Sequence, residues 1–283
     1  MPDKLILITG ATGHQGGATL RHLAKRGGFK LRALTRRPES EAAKALAAAG
    51  AEIVAGDLDD GASLARALGG AWGVYSVQNT WEAGVEKEEV QGKRLAQLAR
   101  DKGVQRFVYA SVSSADKGTG IPHFENKFRI EQTVKALSFP SYAIIRPVFF
   151  MENLLSPWSL AGDKLAMGLA PDTKLQMIAV DDIGKFGAKA FADADTMRNV
   201  EVDIAGDAVT MTEAASALSQ FVGNALTYQR IPIDEVRKQS EDVALMTEWF
   251  ERVGYSVDIA RNEQRYGIHA LTLTEWIRSL PRK

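Results

Sequence analysis

The chain has 283 residues, 45% of them hydrophobic and 25% charged, which is enough for a large core in one domain or in one domain with a smaller appendage. Lys+Arg and Asp+Glu both number 35 and are interspersed, so no net field draws in nucleic acid or an anionic membrane. There is no cysteine, which excludes disulfides, thiolate metal sites and a cysteine nucleophile.

In chain order, Lys4-Leu5-Ile6-Leu7-Ile8-Thr9 is a short apolar run with no helical period, which predicts a buried parallel strand. Gly10, Ala11, Thr12, Gly13, His14, Gln15, Gly16 and Gly17 follow, and then Ala18, Leu20, Leu23 and Ala24 recur at helical spacing. Strand, glycine turn and helix together predict a phosphate site. The glycines permit close backbone approach, and the helix N-terminus offers free N–H groups to an anion. The spacing is G-x-x-G-x-x-G (Gly10, Gly13, Gly16), not the commoner G-x-G-x-x-G, but its place between strand and helix meets the context that a dinucleotide site requires.

Lys30 to Thr35 is the second strand, followed by a helix from about Glu39 to Ala49, and Glu52 to Gly56 is the third. Gly73 to Val77 is the fourth, followed by an amphipathic helix with Val90, Leu95, Leu98 and Ala99 on its apolar side. Gln105 to Ala110 is the fifth strand, Pro122 to Leu137 a helix, and Tyr142 to Arg146 the sixth strand. Strands alternating with helices imply right-handed crossovers and a parallel sheet covered on both faces. The fold class is α/β, a Rossmann-type doubly wound sheet, with a dinucleotide-binding domain over residues 1–150.

Residues 151–283 are expected to form mostly a smaller mixed α/β lobe over the cleft, with 176–206 returning to the main sheet. Val148 to Lys174 shows no clear period and is expected to be loop-rich. Gln176 to Val180 is extended, Asp181 and Asp182 are placed to cap a helix reaching about Ala192, and Val200 to Ala205 is a strand. Thr210-Met211-Thr212-Glu213 and Thr272-Leu273-Thr274-Glu275 fit capping boxes, and a helix is expected near Ser240 to Arg252. No apolar run approaches the roughly 20 residues that span a bilayer. Met1-Pro2-Asp3-Lys4 leads directly into the first strand without a signal-peptide pattern, so a cytoplasmic location is expected.

Cofactor choice is set near the end of the second strand. NAD needs an acid there for the ribose 2′-hydroxyl, whereas this chain has Thr35-Arg36-Arg37 and no acid until Glu39. Guanidiniums suit a 2′-phosphate, so NADP(H) is expected. Asp57 ends the third strand, either to accept from the adenine amino group or as a turn residue. Gln78, Asn79, Thr80 and Trp81 follow the fourth strand, Ser111 and Ser113 the fifth, and His123 and Lys127 share one helix face. Ser111 or Ser113 is a candidate to orient a substrate carbonyl. Trp81, Phe149, Phe150, Met151, Leu154, Leu155 and Trp158 form either a pocket wall or interlobe core. His22 and His269 have no second histidine or carboxylate at ligand spacing, so no metal site is expected.

The motifs T-G-A-T-G-x-Q-G-G, T-R-x-P, G-D-x-D-D, N-x-W-E, H-F-x-x-K and R-P-x-x-F-x-E-N-L-L, in this order, resemble the NmrA-like group of atypical short-chain dehydrogenases, its NADPH-sensor branch above all. The resemblance covers essentially the whole chain. It implies pyrophosphate contacts on Gly10 to Gln15, the 2′-phosphate on Arg36 with Arg37 less certain, and the adenine side on Asp57 and Leu58. It further implies ribose and nicotinamide contacts from Gln78, Asn79, Thr80 and Lys127, with Phe150, Met151, Glu152 and Asn153 lining the nicotinamide end. Active short-chain dehydrogenases use Tyr-x-x-x-Lys, and here His123 stands at the tyrosine position, which makes His123 and Lys127 the candidate catalytic pair. Two functions follow: an NADPH-dependent reductase of a small apolar carbonyl, quinone or enone, or a redox-sensing regulatory protein without chemistry. The expected partners are a substrate or a regulatory protein, with a homodimer an open alternative.

Overall fold

The structure, a computed structural model, describes residues 4–281, so Met1 to Asp3 of the expected leader-free start lie outside the described residues. The first part alternates strictly: β1 (Leu5–Ile8), α1 (His14–Arg26), β2 (Lys30–Thr35), α2 (Glu41–Ala48), β3 (Glu52–Ala55), α3 (Gly61–Ala67) and β4 (Gly73–Ser76). The short α4 (Thr80–Ala83) and the long α5 (Val85–Asp101) lead to β5 (Arg106–Ala110), α6 (Pro122–Ala136) and β6 (Ser141–Pro147). Next come β7 (Phe149–Phe150), β8 (Leu160–Ala161), β9 (Lys164–Met167), β10 (Lys174–Ile178), α7 (Val180–Ala192), β11 (Val200–Ile204) and β12 (Asp207–Thr210). The remaining elements are α8 (Met211–Val222), β13 (Thr227–Arg230), α9 (Ile233–Gln239), α10 (Glu241–Arg252), α11 (Ile259–Tyr266) and α12 (Leu273–Ser279).

The central sheet runs β3-β2-β1-β4-β5-β6-β11, with every pair parallel. Strand order reverses between β1 and β4, which opens a crevice at their carboxyl ends. Ile6, Leu7, Ile8, Val74, Tyr75, Phe107, Val108, Tyr109 and Ile144 are fully buried, because helices cover both faces and a side chain pointing either way meets core. The doubly wound fold expected from the alternation is therefore present.

Two three-stranded sheets, β12-β10-β7 and β13-β9-β8, build a second core around Phe124, Met151, Leu165, Met177, Leu218, Trp249 and Trp276. Within 176–206, β11 joins the central sheet, whereas β10 pairs with β7 and β12. Val148 to Lys174 is less loop-like than expected. β8 and β9 pair across Gly162 and Asp163, with Ala161 opposite Lys164, and β9 pairs with β13. Strands of two to four residues complete too few alternations to show a period.

Asp181 and Asp182 do not cap α7. They lie in its first turn, and the N–H of Val180 is bonded instead by Glu152, at 3.0 and 3.1 Å. Asp181 pairs with His22 at 2.9 Å, and Asp182 accepts from the backbone of Leu271 at 2.7 Å. Acids in a first turn still favour the helix dipole, so the sequence signal is sound in charge and wrong in geometry. Both capping boxes are formed, on α8 and α12.

On α5 the buried stripe is Glu88, Gly92, Leu95 and Ala99, and Val90, expected among the apolar residues, is 51% exposed. A Cβ on Gly92 would lie 2.6 Å from Ile130 of α6. The two helices thus approach closely, which sets the buried Glu88 beside Asn126 and Lys127.

Candidate functional site

The glycine turn is held at both ends. The Thr9 hydroxyl donates to the Val77 carbonyl at 3.0 Å and accepts from the Val77 N–H at 2.9 Å, which ties β1 to β4. Gly13 N–H donates to the Gly10 carbonyl at 2.9 Å, and α1 then opens with no side-chain cap and no acid in its first turn. Its N-terminal N–H groups and dipole therefore face the crevice without a competing carboxylate of their own helix. A Cβ on Gly16 would lie 2.5 Å from the carbonyl oxygens of both Thr9 and Gly10. Gly16→Ala is expected to push the turn off α1 and cost about 1–3 kcal/mol, as overpacking does. Urea denaturation with unchanged stability would contradict that.

His14 is exposed in a cleft of about 340 Å³, lined also by Thr12, Arg21, Glu152, Val180 and Asp181. Glu152 is fixed between the α7 N-terminus and the indole N–H of Trp276 at 3.2 Å, and burial pushes its carboxyl above the ordinary range. Phe150 packs against the central core and is half-buried, as is Asn153 beside Glu152.

Arg36 lies beyond β2 with its side chain 59% exposed and bonded to Glu82 of α4; that bond holds the guanidinium above its ordinary value. Arg37 is exposed, with its N–H on the Thr35 hydroxyl at 3.1 Å. The Asp57 carboxylate makes a turn contact, accepting from the Asp59 N–H at 2.9 Å. Leu58 packs against the core, and its carbonyl accepts from Arg94 at 2.8 Å.

At the end of β4, Gln78 is buried and donates to Ser76 at 3.0 Å, while its side-chain oxygen is buried without a partner among the described residues. The Gln15 side-chain oxygen is likewise buried and unpartnered among the described residues. Asn79 caps α4 through the Trp81 N–H at 3.2 Å. Thr80 donates to Glu88, a fully buried carboxylate that also accepts from Asn126 at 2.8 Å and from the Lys127 ammonium at 2.6 Å. Lys127 is thereby anchored beside the end of β4.

His123 opens α6 and is 6% exposed. Its Nδ1 bonds one oxygen of Asp242, and its backbone N–H donates to the other at 3.0 Å. The Trp81 ring lies 5.3 Å away and Phe124 meets the imidazole edge-on at 4.7 Å. Ser111 and Ser113 are engaged elsewhere: they donate to Glu131 at 2.5 Å and Asp203 at 2.7 Å, around the buried Arg146. Phe149, Met151 and Leu154 are interlobe core, whereas Trp81 and Trp158 are exposed. His269 lies between Glu263 and Glu275 at 3.2 and 3.3 Å, carboxylates it meets through folding.

Two residues at this site escape sequence reasoning. Glu88 carries a signal in hindsight, since it puts a carboxylate on the stripe of Gly92, Leu95 and Ala99. Asp242 carries none: it lies 119 residues from His123 and looks like an ordinary first-turn acid of α10.

An NmrA-like family domain-containing protein of Dictyostelium discoideum is 28% identical over 269 residues, which cover 89% of each chain. The NADPH-dependent quinone oxidoreductase QOR2 of Escherichia coli, complexed with NADPH, superposes with a TM-score of 0.81 at 24% identity, over 96% of this chain and 98% of that one. NmrA, a negative transcriptional regulator in complex with NAD, superposes at 0.79 and 18% identity, over 99% and 96%. At such identities the two structures bear on the fold. The family match itself runs from residue 2 to residue 277, and by that extent the chain belongs to the NmrA-like family.

Proposed function

We propose that the chain binds NADP(H) across the carboxyl ends of β1, β2 and β4 and reduces a small apolar carbonyl, quinone or enone. The observation that carries this reading is the uncapped α1 N-terminus beneath a glycine turn too tight for any side chain at Gly16. The diphosphate would lie on the N–H groups of Gly10, Ala11, Thr12, His14, Gln15 and Gly16, while Gly13, whose own N–H bonds the Gly10 carbonyl, lets the backbone approach closely. Arg36, with Arg37 beside it, would hold the 2′-phosphate in place of Glu82. Asp57 and Leu58 border the adenine, and Gln78, Asn79, Thr80 and Lys127 border the far ribose and nicotinamide. Phe150, Glu152 and Asn153 close that end. The unpartnered oxygens of Gln15 and Gln78 fit a polar ligand, since buried polar atoms normally find partners.

A bound reduced dinucleotide supplies hydride, and the chain's part is to place the acceptor and deliver a proton. His123 is the proton donor of this reading, and Lys127 fixes the ribose side. QOR2, whose fold this chain shares, is by its name an NADPH-dependent reductase of quinones, which agrees with the reading.

A sensing role is favoured by a separate observation. The four-residue helix α4 carries Thr80 on Glu88, Trp81 beside His123 and Glu82 on Arg36, so a phosphate that displaces Glu82 would also disturb the His123 end. Such a signal would be read by a regulatory protein partner, with equal and reciprocal coupling between cofactor and partner.

NADPH absorbance with a quinone and carbonyl panel separates the two. Oxidation by the native chain that collapses in His123→Ala is the expected result. Tight NADPH binding with no oxidation of any compound, together with cofactor-dependent protease resistance, would replace the enzyme with the sensor.

A further inference from the structure

We infer that Asp242 is a positioning residue that sets the tautomer of His123, so that the C-terminal lobe supplies half of the proton-donating device. The inference rests on the reductase reading above. Asp242 lies in the first turn of α10, and His123 in the first turn of α6, so the carboxylate stands where two helix N-termini meet, a placement that suits an anion. Both of its oxygens are used on one residue: Oδ1 accepts from the His123 backbone N–H at 3.0 Å, and Oδ2 bonds Nδ1. A carboxylate has only acceptors, so the neutral ring must carry its hydrogen on Nδ1. That leaves Nε2, which has no hydrogen-bond partner among the described residues, as the atom that meets a substrate oxygen. Phe124 and Trp81 against the ring limit its rotation, at 4.7 and 5.3 Å between centroids.

The proton balance is simple. Hydride from the reduced dinucleotide adds to the carbonyl carbon, the C=O π pair moves to oxygen, and that oxygen takes the proton of Nε2. The imidazolium becomes the neutral Nδ1–H ring, still bonded to Asp242, and solvent returns a proton to Nε2. The carboxylate stabilises the positive charge at each return, without itself taking the proton.

The two-point grip makes one substitution diagnostic. In Asp242→Asn the carboxamide has one acceptor oxygen. If that oxygen keeps the backbone N–H, its NH2 faces Nδ1, which must then accept, and the hydrogen moves to Nε2. Such a ring cannot be protonated at Nδ1 without losing that bond, so it cannot deliver from Nε2 in the same geometry.

The test is nitrogen-15 NMR of the histidine rings in the cofactor-free chain, at a pH where the ring is neutral, with His123→Gln to assign the signals. The native chain is expected to show the Nδ1–H tautomer at His123, Asp242→Asn the Nε2–H tautomer, and Asp242→Ala a mixture. An Nε2–H ring in the native chain, or the same tautomer in all three folded proteins, overturns the inference. In turnover, Asp242→Asn is expected to lower kcat at least 100-fold with the NADPH KM unchanged, and Asp242→Glu to recover part of it. Equal losses in Asp242→Asn and Asp242→Glu, tautomer unchanged, would mark a merely structural contact and overturn it as well. A chain that binds NADPH yet reduces nothing overturns proton donation and this role with it; a chain that binds no NADPH overturns the reductase reading itself, which the tautomer result does not depend on.

Discussion

Arg146→Met is expected to lower folding stability by about 3–5 kcal/mol, the cost of leaving a buried charge without its partner. The Arg146 side chain is 3% exposed and grips Glu131 through two nitrogens, at 2.9 and 2.5 Å, with Glu201 at 2.7 Å and Asp116 at 3.2 Å. Burial works against the Arg146 cation, but Glu131 and the flanking acids outweigh it and push its pKa up. Glu131 is fully buried, and desolvation raises its carboxyl above the ordinary range even with the arginine present. Without the guanidinium it keeps, among the described residues, the Ser111 hydroxyl alone. A carboxyl raised in the folded state lends stability below its unfolded value and loses it as pH rises through the folded one. The deficit of Arg146→Met should therefore be larger at pH 8 than at pH 5, and Glu131→Leu added to it should recover most of the loss. Urea denaturation at both pH values checks this, and a deficit that is small and independent of pH would remove the network from the stability account.

Arg36→Asp is expected to weaken NADPH binding about 100-fold while changing NADH binding little. Each charge-assisted hydrogen bond to a phosphate contributes about 1.5–3 kcal/mol, and each 1.4 kcal/mol is tenfold in affinity. The new carboxylate would also repel a 2′-phosphate and suit a 2′-hydroxyl. In the folded chain Arg36 is already paired with an acid, Glu82, on an exposed surface. Such pairs contribute little, so a 2′-phosphate can take the place of that carboxylate at small cost. Titration of both coenzymes by calorimetry reads the difference directly, and equal losses would remove the specificity claim.

The central fold was legible because apolar stretches such as Leu5 to Ile8, Phe107 to Ala110 and Ala143 to Ile145 alternate with helical spacings such as Ala18, Leu20, Leu23 and Ala24. The glycine turn was legible for the same reason, since its chemistry is local. What escaped is non-local. Asp181 and Asp182 looked like caps because local sequence cannot show that Glu152, 28 residues before Val180, reaches the same N–H group. Val90 counted as apolar but turns outward, because the buried face of α5 is chosen by Glu88 and Gly92 against α6. The small sheets escaped because their strands are too short to carry a pattern. His123 and Lys127 were visible by spacing, yet the carboxylates that hold them, Asp242 and Glu88, come from other elements and are visible only after folding.

The seventh strand of the central sheet has a consequence for biosynthesis. β6 receives its outer neighbour, β11, only after β7 to β10 and α7 have been made. Until the ribosome has released that later segment, β6 presents an apolar border of unpaired amides, the kind of border that nascent chains use to stick to one another. A fragment ending near residue 150 would keep that border permanently open, and should precipitate or recruit chaperones where the longer chain stays dispersed.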